Sequence, residues 1–140
     1  MAEMSTSTTT RPDIDIRNDI LNIVAHYPPL MNDRHHLNVK VRNGVVNLSG
    51  HLKSRVSRRY LLEALERVQG IKGVEDERLH DEETIRHEVG QYIPSGVFAS
   101  IDYGTVILTG RVPAHTSAAE ITAGVSQVQG VRRVVTSFHD

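Results

Sequence analysis

Asn43-Gly44-Val45-Val46-Asn47-Leu48-Ser49-Gly50 returns sixty residues later as Tyr103-Gly104-Thr105-Val106-Ile107-Leu108-Thr109-Gly110. The same offset carries Val68-Gln69-Gly70 onto Val128-Gln129-Gly130, and Val74 onto Val134. No gap is needed between Leu37 and Val74. A repeat that keeps its glycines and apolar positions in register means two copies of one small domain. What both copies keep serves the fold. What one copy alone has is the better guide to function.

Outward from this core, each copy reads as helix, strand, strand, helix, strand. Ile16, Ile20, Ile23 and Val24 lie at helical spacing, as do Ile85, Val89, Tyr92 and Ile93. These first helices align at an offset of 69, so the first copy carries nine extra residues, within 25–36. Pro28-Pro29 is expected to stop the helix there. Leu37, Val39 and Val41 alternate with polar residues, as a half-buried strand does. Asn43-Gly44 supplies a two-residue hairpin turn. Tyr103-Gly104 repeats it, with a poorer turn former. Leu61, Ala64, Leu65 and Val68 match Ile121, Gly124, Val125 and Val128 as the second helix. Ser117 and Glu120 fit a capping box at its start. The small Ala64 and Gly124 predict close approach of helix to sheet. Gly44, Gly50, Gly70, Gly104, Gly110 and Gly130 are expected to be structural, at turns, strand ends and helix ends.

Domains of about 60 residues bury only about 60% of their unfolded surface, so the copies are expected to pack together or to oligomerise. Residues 1–12 are polar and Ser/Thr-rich and predict a disordered tail, followed by domains at 13–80 and 81–140. The tail has no apolar run, and no run elsewhere is long enough to span a bilayer. This predicts a cytoplasmic protein, or a periplasmic one had a leader been removed. Cysteine is absent, which excludes disulfides and thiolate chemistry. The net charge of -1 hides an asymmetry. From Asp13 to Arg78 there are 11 Lys and Arg against 9 Asp and Glu, or +2; from Leu79 onward there are 4 against 7, or -3. The first copy is the half suited to an anionic surface.

The pattern resembles the BON domain, a small bacterial module often found in tandem. The resemblance rests on Val39-x-Val41-x-Asn43-Gly44-Val45-Val46-x-Leu48-x-Gly50 and Val68-x-Gly70-x-x-x-Val74. In the second copy it rests on Ile101-x-x-Gly104-x-Val106-x-Leu108-x-Gly110 and Val128-x-Gly130-Val131-x-x-Val134. It implies an α+β chain of two αββαβ domains, each a three-stranded mixed sheet packed against two helices, without catalytic residues. Members are mostly envelope or periplasmic proteins, linked to osmotic and envelope stress and to phospholipid surfaces. Some are cytoplasmic and linked to potassium sensing.

Ser49 and Thr109 sit on hairpin strands, not on a nucleophile elbow, and no base lies near them in sequence. Catalytic residues are therefore not expected. Glu83 and His87 share a helix face, with His80 before it and His35-His36 in the insert. A zinc site needs more ligands at fixed spacing, so neither metal nor cofactor is expected. Lys53, Arg55, Arg58 and Arg59 cluster where the second strand enters the second helix. The matching stretch of the second copy has no basic residue from Pro113 to Ala119. Cations at a helix N-terminus oppose the dipole, so the fold does not ask for them. They are the candidate contacts to anionic lipid. Tyr27, Leu30 and Met31, in the insert, form a candidate membrane or partner loop, against the simpler reading of a core cover. The expected partner is an anionic lipid surface or another protein, including a second copy of the chain. Nucleic acid is not expected, since recognition motifs and interleaved aromatics are missing. Assembly through sheet edges and potassium sensing are the alternatives.

Overall fold

The structure is a computed structural model and describes residues 10–139. Most of the expected tail, 1–9, and residue 140 lie outside the described residues.

The first repeat opens with α1 (Asp13–His26), a short α2 (Pro28–Asn32) and a 3-10 turn (Arg34–His36). It continues with β1 (Leu37–Arg42), β2 (Val45–Leu52), α3 (Arg55–Leu65) and β3 (Gly73–Asp81). The second repeat follows as α4 (Glu82–Val89), β4 (Val97–Asp102), β5 (Thr105–Gly110), α5 (Ala118–Ser126) and β6 (Arg133–Phe138). Pro28-Pro29 does stop α1, but it also starts α2, because proline fits the first helical positions where no N–H donor is needed.

Each repeat holds one three-stranded sheet, ordered β1-β2-β3 and β4-β5-β6. The hairpins are antiparallel and the third strands return parallel to the central ones. Register follows the sequence offset. Val39 faces Leu48 and Ala99 faces Leu108; Val46 faces Val74 and Val106 faces Val134. Gly50 and Gly110 occupy equivalent places, opposite Leu37 and Val97. Both have φ near +100°, at 114° and 98°, and a side chain on either would meet a backbone carbonyl, of His36 or of Gly96.

One irregularity breaks the equivalence. Between Asn47 and Ser49 the β2–β3 register shifts, so that Asn47 faces Glu75 but Ser49 faces Arg78. The extra residue is a bulge in β3, and β6 has none.

Two separate cores result. Ile16, Ile20, Leu30, Leu48, Leu52 and Leu61 anchor the first, and Ile85, Val89, Val106, Leu108 and Val125 the second. Carboxylates at the helix starts tie α1 and α4 to the hairpins. Asp13 accepts hydrogen bonds from the Asn43 and Gly44 N–H groups at 2.8 and 2.9 Å. Glu82, its counterpart, accepts from the Tyr103 N–H at 2.6 Å. Gly124 approaches not the sheet but the ring of Tyr92, which a side chain there would overlap. The helices end at Leu65 and Ser126, five and four residues before Gly70 and Gly130, whose positive φ turns the chain toward the third strand.

Candidate functional site

Two groupings draw on residues that only one repeat possesses. The first is the outer face of α3. Ser54 caps the helix by accepting from the Ser57 N–H at 3.0 Å. Val56 and Tyr60 then fall one turn apart and leave 58% and 40% of their surface in water. Arg55 and Arg59 form the adjacent exposed row. The insert reaches this face, since Tyr27 stacks on Tyr60 with ring centroids 3.8 Å apart and planes 9° apart. Met31, whose N–H bonds the Tyr27 carbonyl, is also exposed. Leu30 is fully buried in the first core. The exposed tip of this patch is therefore Met31, with Leu30 as its anchor and Tyr27 half-buried against the first core.

The four basic residues divide. Arg58 turns inward: Nη2 meets Asp76 Oδ2 at 2.8 Å and Nε donates to the Leu79 carbonyl at 3.1 Å. Asp76 sits at the β3 bulge, which explains why the second repeat has no matching pair. Lys53 reaches the second repeat, with Nζ 3.5 Å from Asp102, 3.9 Å from Glu82 and 4.7 Å from the centre of the Tyr103 ring. Arg55 and Arg59 remain on the α3 face. The open face of the first sheet adds Lys40, Arg42 and Arg78, with Arg17 alongside. The positions of β4 that match Lys40 and Arg42 hold Ser100 and Asp102, so these two charges are a property of the first repeat alone, whereas Arg17 has a counterpart in Arg86.

The second grouping is the seam between the repeats. Asp33, from the insert, is almost fully buried and accepts from the Lys53 N–H at 3.0 Å and from the Tyr103 hydroxyl at 2.7 Å. His36 stacks on the Tyr103 ring at 3.5 Å. Desolvation and then the Asp33 contact push the Tyr103 hydroxyl well above its ordinary pKa, which keeps it a donor. His51 Nε2 lies 2.6 Å from the Gly130 carbonyl. Glu83 accepts from the Arg55 N–H at 2.6 Å and so caps α3 from the second repeat. Sequence reasoning missed this seam. Its signal was present: the insert, His51 in place of Arg111, and Tyr103 in place of Asn43 are all departures of one copy from the other.

Among the described residues no cluster of His, Asp and Glu is arranged to hold a metal. His80, Glu83 and His87 do not converge. No helix among them is long and apolar enough to cross a membrane.

This repeated architecture and its turns define a tandem of two small α+β domains. The chain belongs to the BON domain family, whose pattern matches it twice, over residues 13–79 and 81–139. No curated protein matches the chain. Among solved structures it is similar to the C-terminal domain of CdsD, the structural protein of the type III secretion system of Chlamydia trachomatis. The TM-score is 0.71 at 14% identity, over 86% of this chain and 63% of that one. The chain thus spans less than two thirds of that relative, and the likeness is one of fold. A second CdsD structure from Chlamydia trachomatis matches at 12% identity over 89% of this chain and 91% of that one, with a TM-score of 0.34.

Proposed function

We propose that this chain is a non-enzymatic binding module of the stress-associated BON kind, engaging anionic phospholipid headgroups through its first repeat. The observation that carries the reading is the Tyr27–Tyr60 stack. It joins the insert and the start of α3, two stretches distant in sequence, into one patch of exposed Met31, Val56 and Tyr60 around a half-buried Tyr27. Arg55 and Arg59 flank it. Aromatic and aliphatic tips beside basic residues suit the boundary between headgroups and acyl chains. The net positive charge of the first repeat and its basic sheet face supply longer-range attraction. Lys53 and Arg58 support the patch from behind, the first by holding the second repeat and the second by fixing α3 to β3.

Assembly through sheet edges is the weaker alternative, because Arg17 Nε already donates to the Val39 carbonyl on the outer strand at 3.0 Å.

Co-sedimentation with vesicles tests the reading. Binding is expected to vesicles containing phosphatidylglycerol, not to neutral phosphatidylcholine, and to weaken as salt rises. Replacing Arg55 and Arg59 by Ser removes two cations worth about 1 kcal/mol each near such a surface, a loss of about thirtyfold. Equal binding to both vesicle types, or none to either at low salt, overturns the proposal.

A further inference from the structure

We propose that the seam between the repeats is a pH-sensitive latch, in which charging both members of the His51–His80 pair releases the first repeat from the Gly130 end of the second. The pair exists only at this junction. The counterpart of His51 in the second repeat is Arg111, and the counterpart of His80 in the first is Arg11.

His51, at the end of β2, is 7% exposed, and its Nε2–H donates to the Gly130 carbonyl. His80, at the end of β3, lies with its ring centroid 5.7 Å from that of His51. Its ring also presses on Gly130, where a Cβ would come within 2.8 Å of His80 Cγ. Both rings therefore clamp one backbone turn of the second repeat. A Cβ on Gly104 would come within 2.6 Å of His51 Nε2 and 2.8 Å of Arg132 Cγ, so the opposite wall is equally close.

The charges facing the pair decide its response. Arg58 from α3 opposes a proton on His80, as does His51 itself, while Asp81 at the start of α4 favours one. Arg132 borders His51 from the turn before β6. On the far side of the hairpin Lys53 meets both Glu82 and Asp102 beside the Tyr103 ring, one cation against two carboxylates. Asp76 and Glu77 of β3 and Glu88 of α4 line the same cleft as His80, with Asp76 engaged by Arg58. Charge on both rings would place two cations side by side, with His51 buried and His80 half-buried. His36 is a separate contact of the seam. It lies apart from the pair, stacked on Tyr103, whose hydroxyl donates to Asp33.

The seam yields before the cores do. Its contacts are hydrogen bonds, ring stacks and weak ion pairs, and the two apolar clusters are separate. Local opening follows the least apolar boundary. Histidine is the side chain whose ordinary pKa puts this change between neutral and mildly acidic conditions.

Amide hydrogen exchange of the full chain, corrected for the intrinsic pH effect, tests the latch at about pH 7.5 and about pH 5, on either side of the ordinary histidine pKa. Protection of residues 103–104 and 130–132 is expected to fall about tenfold or more on acidification, the change that one unit of pKa displacement corresponds to. Protection of Val106 and Leu108, in the second core, is expected to hold. His80→Gln should remove the fall. His51→Gln, which keeps an amide donor for the Gly130 carbonyl, should reduce it even if His80→Gln does not fold. His36→Gln should leave it intact. Unchanged seam protection in the wild type, an equal fall in either pair variant, or a joint loss of seam and core overturns the proposal.

Discussion

Tyr103 sits in the left-handed region, with φ 46°, where Asn43 holds the same place at φ 53° in the first repeat. Asparagine adopts that conformation more readily than a bulky aromatic does. The tyrosine is retained at a cost because its side chain works elsewhere, donating to Asp33, stacking on His36 and receiving Lys53 over its face. Tyr103→Asn is therefore expected to leave the second hairpin at least as well formed while weakening the seam. By calorimetry the variant should show two melting transitions where the wild type shows one. A single, unshifted transition would contradict the role given to this residue. Asp33→Ala is the harsher change. It leaves two part-buried donors without their acceptor, each costing up to about 1–3 kcal/mol, and should lower the midpoint of urea unfolding accordingly.

At the scale of elements, the helix positions that looked alike proved to differ in what they touch. Gly124 on α5 abuts the Tyr92 ring, and Ala64 on α3 has no counterpart of that ring. Gly124→Leu is expected to destabilise the chain by about 1–3 kcal/mol through overpacking. Combining it with Tyr92→Ala should recover part of the loss, since the two changes share one contact. An additive double variant would show that the crowding lies elsewhere. Strands, hairpins and second helices were legible because Val39, Val46, Leu48 and their counterparts alternate, and because glycine marks the turns. The bulge in β3 was not legible. Nothing in Glu75-Asp76-Glu77-Arg78 announces an extra residue; the Arg58–Asp76 pair beside it appears only once α3 is packed on β3. Nor was the second use of Pro28-Pro29, which end one helix and begin the next.

For the whole molecule, two cores joined by a polar seam give stability a pH dependence of known sign. Burial, and then His51 and Arg58, hold His80 below its ordinary pKa in the folded chain. The unfolded chain thus binds the proton more readily. This contribution is complete above the unfolded pKa of about 6.5 and is lost as pH falls through it toward the folded value. Melting temperature should drop over that interval, and His80→Gln should flatten the drop. The candidate membrane face was half legible. The basic run at the start of α3 stands out against its bare counterpart in the second repeat, and the insert stands out by length. Their meeting through Tyr27 and Tyr60 depends on a tertiary contact that no local spacing encodes. The central claim is that this meeting point is where the chain touches a bilayer. Paramagnetic broadening of amide signals by spin-labelled lipid, in anionic nanodiscs, reads that contact residue by residue. The account predicts broadening confined to 27–31 and 55–60. Broadening centred on the second repeat, or on the open face of the first sheet around Lys40 and Arg42, would contradict it.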